Sequence, residues 1–217
     1  DFGYGNLRQL LNLEVTYHDI DRIFFTHNHP DHVCDLIPFL FGSRYQLDTR
    51  KKNLEIIAGP GFQDFFDKLM LAFKHWLKPT EYKLNISEID EGIRDFGKLK
   101  VQVGKVKHIA MSRGYRFTND QGKSVAVSGD TDYCEGMIEL GRDVDLMILE
   151  CAWPDDEKTD GHLGPTLAGK LAMEANCKKL CLTHFYPPCD LENIRNTVQK
   201  NYKGELLLAR DLMQFDL

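Results

Sequence analysis

Residues 21–32 read DRIFFTHNHPDH, and the segment changes character halfway along. Its first half, Asp21 to Thr26, is a short apolar run of the kind that forms a buried strand. Its second half places His27, His29, Asp31 and His32 within six positions. Imidazole and carboxylate donors at that density suit a first-row metal such as zinc, manganese or iron. Pro30 stiffens the loop and keeps the residue before it out of helical geometry, so the rings can fan towards one point. The chain has 8 histidines in all, and so close a grouping after an apolar strand reads as a metal site rather than a solvated turn.

Outward from this segment the pattern is mixed α/β. An amphipathic stretch near 6–12 precedes it. A helix is expected over 32–47, with Val33, Leu36, Ile37, Leu40 and Phe41 at helical spacing, and a strand over 54–58, closed by Gly59-Pro60-Gly61. A second helix is expected over 62–77, with Phe62, Phe65, Phe66, Leu69, Met70 and Phe73 on one side. Strands near 82–87 and 98–107 follow, then a hairpin turn at 118–123 and strands over 124–128 and 146–149. A helix opens at Gly164-Pro165-Thr166, where proline's missing N–H costs nothing; a strand over 179–183, a helix over 191–201 and a strand over 205–209 close the chain. The strand-then-ligand arrangement recurs: SVAVSG runs into Asp130 and KLCLT into His184, as DRIFFT runs into His27. Loops that follow rigid strands are where α/β folds place their sites.

At 217 residues the chain fits a single domain spanning 1–217. Net charge is −6 with a pI near 5.8, which gives no bulk signal of a nucleic-acid binder. No apolar run nears the roughly 18 residues of a membrane span, and no signal peptide opens the sequence. The six cysteines form no C-x-x-C pair. They read as reduced residues of a cytoplasmic protein; Cys177 and Cys181 fit buried structural thiols better than metal ligands.

His-x-His-x-Asp-His after an apolar strand resembles the signature of the metallo-β-lactamase fold hydrolases. Four further stations match in order: His108 after VQVGKVK, Asp130 in Ser-Gly-Asp-Thr, His162 in Gly-His-Leu-Gly, and His184 in Leu-Thr-His-Phe. The opening DFGYGNLRQL resembles the glycine-rich segment that precedes the signature, and the order is most similar to the ribonuclease Z-like phosphodiesterase branch. The resemblance implies an αββα sandwich and two metal ions, zinc or else manganese or iron. One would take His27, His29, His108 and Asp130; the second would take Asp31, His32, Asp130 and His184. It implies a phosphodiesterase acting through a metal-bound hydroxide, with Asp31 orienting or deprotonating the water. His162 resembles the family's non-ligand histidine near the leaving group, although the family's His-Ser-Thr reads His162-Leu163-Gly164 here. Glu150 resembles the glutamate of a His-Glu-Ala-Thr motif whose first position is Leu149 here; it either orients His162 or caps a strand end. His18 and His75 stay outside the site.

Two departures shape the expected function. Ribonuclease Z carries a long tRNA-gripping arm between the positions matching His108 and Asp130, where only 21 residues, 109–129, lie here. A small ester or phosphodiester is therefore the expected substrate. A tRNA 3′ endonuclease, a thioester, lactone or sulfate-ester hydrolase and a non-catalytic metal-binding module are the alternatives. The family also has strands before the position of Asp1, so the first sheet is expected to lack them and to expose an edge that a homodimer would cover.

Overall fold

The structure, a computed structural model, describes residues 1–216. The chain forms two compact units that divide after Ile89. Among the described residues no helix is long and apolar enough to cross a membrane.

The first unit is built on a three-stranded parallel sheet of β1 (Arg22–Phe24), β2 (Leu54–Ala58) and β3 (Leu84–Glu88), with β2 in the centre. Parallel neighbours need crossovers, and these carry α2 (Pro30–Val33) and α3 (Leu36–Gly42), then α4 (Phe62–Phe73) with a 3-10 turn at Lys74–Leu77. Leu54, Ile56, Ile57 and Ala58 are wholly buried, as a central strand covered on both faces requires. Phe25 stacks on Phe62, with ring centroids 4.9 Å apart, and Phe2 meets Phe39 edge-on at 5.5 Å. The short helix α1 (Asn6–Leu11) precedes β1.

The helix expected over 32–47 is instead two short pieces that begin at Pro30 and end at Gly42. The break falls at Asp35. Its N–H donates to the Phe2 carbonyl at 3.0 Å, and its carboxylate accepts the Leu7 N–H at 2.8 Å, so the N-terminal segment takes up the bonding there. The helix expected over 62–77 ends at Phe73, because Lys74 has a left-handed φ of 54°.

The second unit is a seven-stranded mixed sheet in the order β10-β9-β8-β7-β6-β5-β4. Its strands are β4 (Gly92–Asp95), β5 (Leu99–Lys105), β6 (Arg113–Asn119), β7 (Ser124–Val127), β8 (Leu146–Glu150), β9 (Lys179–Thr183) and β10 (Glu205–Leu208). β4 to β7 pair antiparallel and β7 to β10 parallel, with α5 (Glu135–Gly141), α6 (Pro165–Ala175) and α7 (Leu191–Asn201) as the crossovers. Leu149, Leu163, Leu171, Leu180, Leu182 and Val198 are among the buried residues of its core. Strands β4 and β6 and helix α5 have no counterpart in the sequence reading. RGYRFTN carries two arginines in place of an apolar run, and EGMIELG holds two glycines that lower helix propensity.

Arg50 is fully buried, and its guanidinium donates to the carbonyls of Tyr17, Ile20 and Asn53 while lying over the rings of Phe39 and Tyr82. It ties the loop before β1 to the loop before β2. Arg50→Met would leave these acceptors unmatched, at a cost of about 3 kcal/mol. Calorimetry should show the melting temperature falling by roughly 6–12 °C; an unchanged value would mean that water satisfies the carbonyls.

Candidate metal centre

In the first unit the ligand loop leaves β1 and turns into α2. The His27 ring lies 4.6 Å from that of His29 and 4.1 Å from that of His32, centroid to centroid. Asp1 organises this group. Its carboxylate accepts the Thr26 N–H at 2.7 Å and the Thr26 hydroxyl at 2.8 Å, and faces His32 Nδ1 at 2.8 Å. A hydroxyl has one proton, and that of Thr26 goes to Asp1. Thr26 Oγ1 therefore accepts from His27 Nδ1, 3.1 Å away. Both Nδ1 atoms then carry the proton, and both Nε2 atoms present lone pairs, the form in which imidazole binds metal. His32 Nε2 lies 3.5 Å from Asp31 Oδ2.

In the second unit the adjacent parallel strands β7, β8 and β9 deliver Asp130, Glu150 and His184 at their carboxyl ends. Ligands of open α/β sheets gather at such an edge. Asp130, 2% exposed, faces two imidazoles with different oxygens: Oδ2 lies 3.8 Å from His108 Nε2, and Oδ1 lies 3.5 Å from His184 Nε2. A charge-assisted hydrogen bond would close to about 2.8 Å. Two donors each about 2.0–2.1 Å from one ion at a tetrahedral angle stand about 3.4 Å apart. The spacings around Asp130 and between Asp31 and His32 thus fit donors that share a metal ion. His184 has a left-handed φ of 62°, a conformation that residues with a Cβ seldom adopt.

Glu150, His162 and His184 also place donor atoms within 4.8 Å of one another. Glu150 does not have the character of a ligand, because its carboxylate is saturated by N–H donors. It accepts from the backbones of Thr131 (2.9 Å), Ala152 (3.0 Å) and Leu163 (3.1 Å) and lies 2.9 Å from His162 Nδ1. It therefore knits the strand end to the next loops and also orients His162. The His162 ring lies nearly parallel to that of His184, 5.9 Å away.

The sequence reading missed several residues that hold the donors in place. Asp1 is one; others are Gly161, whose carbonyl lies 2.9 Å from His108 Nδ1, and the buried Asp132 beside Lys158. None belongs to a ligand-like cluster; nearness in sequence to Asp130 and His162 could have pointed to Asp132 and Gly161, and nothing of the kind points to Asp1. Of the residues set aside, His18 pairs with Asp48 and His75 lies beside Trp76. All six cysteines are free of disulfides. Burial pushes the Cys177 and Cys181 thiols up to about 11, so they stay protonated and act as packing residues.

Residues 4–185 match the Beta-lactamase superfamily domain. An uncharacterized protein of Mycobacterium tuberculosis is 30% identical over 189 residues, which cover 84% of this chain and 68% of that protein. Ribonuclease Z of Brevibacillus brevis is 27% identical over 241 residues, covering 86% of this chain and 74% of its own length. The crystal structure of the metallo-beta-lactamase fold protein YhfI from Bacillus subtilis is similar with a TM-score of 0.83 at 25% identity, covering 97% of this chain and 83% of that one.

The opening glycines can be tested against the ligand loop. A Cβ on Gly3 would lie 1.9 Å from the Asp31 carbonyl oxygen, a backbone atom that cannot yield without shifting the loop. Gly3→Ala should weaken divalent-metal binding by at least about tenfold, the scale seen when groups supporting metal ligands are lost, in chelator competition. Parental affinity would show that segment 1–3 does not set the ligand loop.

Proposed function

The chain belongs to the metallo-β-lactamase superfamily of hydrolases and has its fold, and we propose that it is a dinuclear metal hydrolase of small phosphodiesters. The observation that carries this reading is Asp130, which addresses His108 with one oxygen and His184 with the other at ligand-pair spacing. By the ligand pattern of that superfamily, His27, His29, His108 and Asp130 would hold one ion, and Asp31, His32, Asp130 and His184 the other. Bound ions of this kind supply Lewis acidity and make water a nucleophile near neutral pH.

The chain's own groups do the rest. The Asp31 carboxylate, 3.5 Å from His32 Nε2, accepts the proton of the attacking water. Glu150 holds His162 at Nδ1, so in the doubly protonated ring Nε2–H is the group that gives a proton to the departing oxygen. Three backbone N–H groups fix Glu150 in turn, so His162 is oriented before substrate arrives and little reorganisation remains.

The ribonuclease Z relative supports a phosphodiester as the bond cut. A small substrate is supported by the 21 positions from 109 to 129, which are taken up by a turn, strands β6 and β7 and the tight turn between them. No segment there has the length of an extended arm, and the chain's net charge of −6 offers no bulk attraction to a polyanion.

The test is turnover of bis-p-nitrophenyl phosphate alongside metal content by elemental analysis. The protein should carry two divalent ions and lose turnover on chelation. Asp31→Ala and His162→Ala should each lower kcat by about 10²–10⁴. Faster turnover of thioesters or lactones would overturn the phosphodiester assignment, and efficient processing of precursor tRNA at physiological salt would overturn the small substrate.

A further inference from the structure

The loop from Trp153 to Gly164 carries His162 and also reaches back to His108. His108 Nδ1 lies 2.9 Å from the Gly161 carbonyl. A carbonyl only accepts, so Nδ1 carries the proton and Nε2, on the Asp130 side, presents the lone pair. Gly161 is needed for this contact on two counts. Its φ of +85° is left-handed, and a Cβ there would lie 2.8 Å from His108 Nδ1.

What fixes the Gly161 carbonyl is a pair that is not among the metal-donor groups. Lys158 Nζ lies 3.0 Å from each oxygen of Asp132 and donates to the Thr159 carbonyl at 3.1 Å. The same Asp132 Oδ2 accepts the Gly161 N–H at 3.4 Å, and Oδ1 accepts the Tyr133 N–H at 2.8 Å. Asp132 is 5% exposed and is itself anchored by its own N–H, which donates to the Lys107 carbonyl at 2.7 Å. The turn at 158–161 is thereby clipped to the segment that follows β7, two residues beyond Asp130.

We infer that the Lys158–Asp132 pair is a positioning device. It holds the Gly161 carbonyl on His108, selects the Nδ1–H form of that ring, and so sets how tightly the neighbouring donors hold a divalent cation. Lys107 Nζ also lies 3.5 Å from Asp132 Oδ2, but its side chain is exposed, and it is Lys158 that bonds both Asp132 and the Thr159 carbonyl, so loss of Lys158 leaves the carboxylate a cation without that tie to the turn. The link to cation affinity rests on the dinuclear reading above, whereas the link to the ring's tautomer rests on the Gly161 contact and stands without it.

The experiment uses the full chain and two readouts. Long-range ¹H–¹⁵N spectra of the metal-free protein report which nitrogen of His108 carries the proton, and competition with a chromophoric chelator reports zinc affinity. Lys158→Met should convert His108 from the Nδ1–H form to a mixture and weaken zinc binding by about 10–100-fold; Lys158→Arg should restore most of both. Asp132→Asn tests the same link should Lys158→Met fail to fold. Retention of the Nδ1–H form, with zinc affinity within twofold of the parent, in whichever of the two variants folds overturns the inference. A parent protein that binds no divalent ion would overturn the dinuclear reading alone, and the spectra would still decide the role of Lys158.

Discussion

An imidazole can offer a metal only one nitrogen in its neutral form, and what the other nitrogen touches decides which. Three histidines of this chain are set in that way. The Thr26 hydroxyl takes the Nδ1 proton of His27, the Asp1 carboxylate that of His32, and the Gly161 carbonyl that of His108. Each contact leaves Nε2 as the nitrogen with the lone pair. The supporting groups are as demanding as the donors themselves. Threonine succeeds at position 26 because its only hydroxyl proton is already committed to Asp1, and a glycine is required at 161 because its φ is left-handed and any Cβ would meet the ring.

Glu150 shows how one buried charge can serve the fold and the site at once. A carboxylate at 1% exposure is costly unless saturated, and four N–H donors saturate it. Three come from backbones on separate segments and one from His162. The two readings of Glu150 open at the level of sequence, strand-end cap and histidine partner, are therefore not alternatives. The same four bonds satisfy both.

Much of the fold and of the candidate site is legible in the sequence. The ligand loop announces itself because DRIFFT is apolar and HNHPDH is dense in donors, and Asp130 and His184 follow β-rich runs in the same manner. Strands β8 and β9 are readable because burial on both faces demands continuous apolar residues, and β7 because its Val-Ala-Val run stands between Ser124 and Ser128. Strand β6 was hidden because Arg113, Arg116 and Asn119 break that pattern, and α5 because its glycines do. The supporting groups were hidden for a different reason. Asp1, Asp132 and Lys158 are ordinary charged residues whose role depends on which backbone or ring they meet after folding, and no spacing rule encodes that.

The strand ladder also restricts how this sequence can drift over time. Glu150 stands opposite Thr183 in the β8–β9 register, and the Ser128 N–H donates to the Ile148 carbonyl, so the strand ends that lead into Asp130, Glu150 and His184 are indexed to one another. Side chains alternate between faces along a strand, so a deletion of a single residue in β7, β8 or β9 would turn the following donor to the wrong side rather than shift it slightly. Substitutions can accumulate gradually within these strands, but changes of length cannot. Length variation among relatives is accordingly expected at the turns on the opposite edge of the sheet, where the crossovers enter and no donor depends on the count.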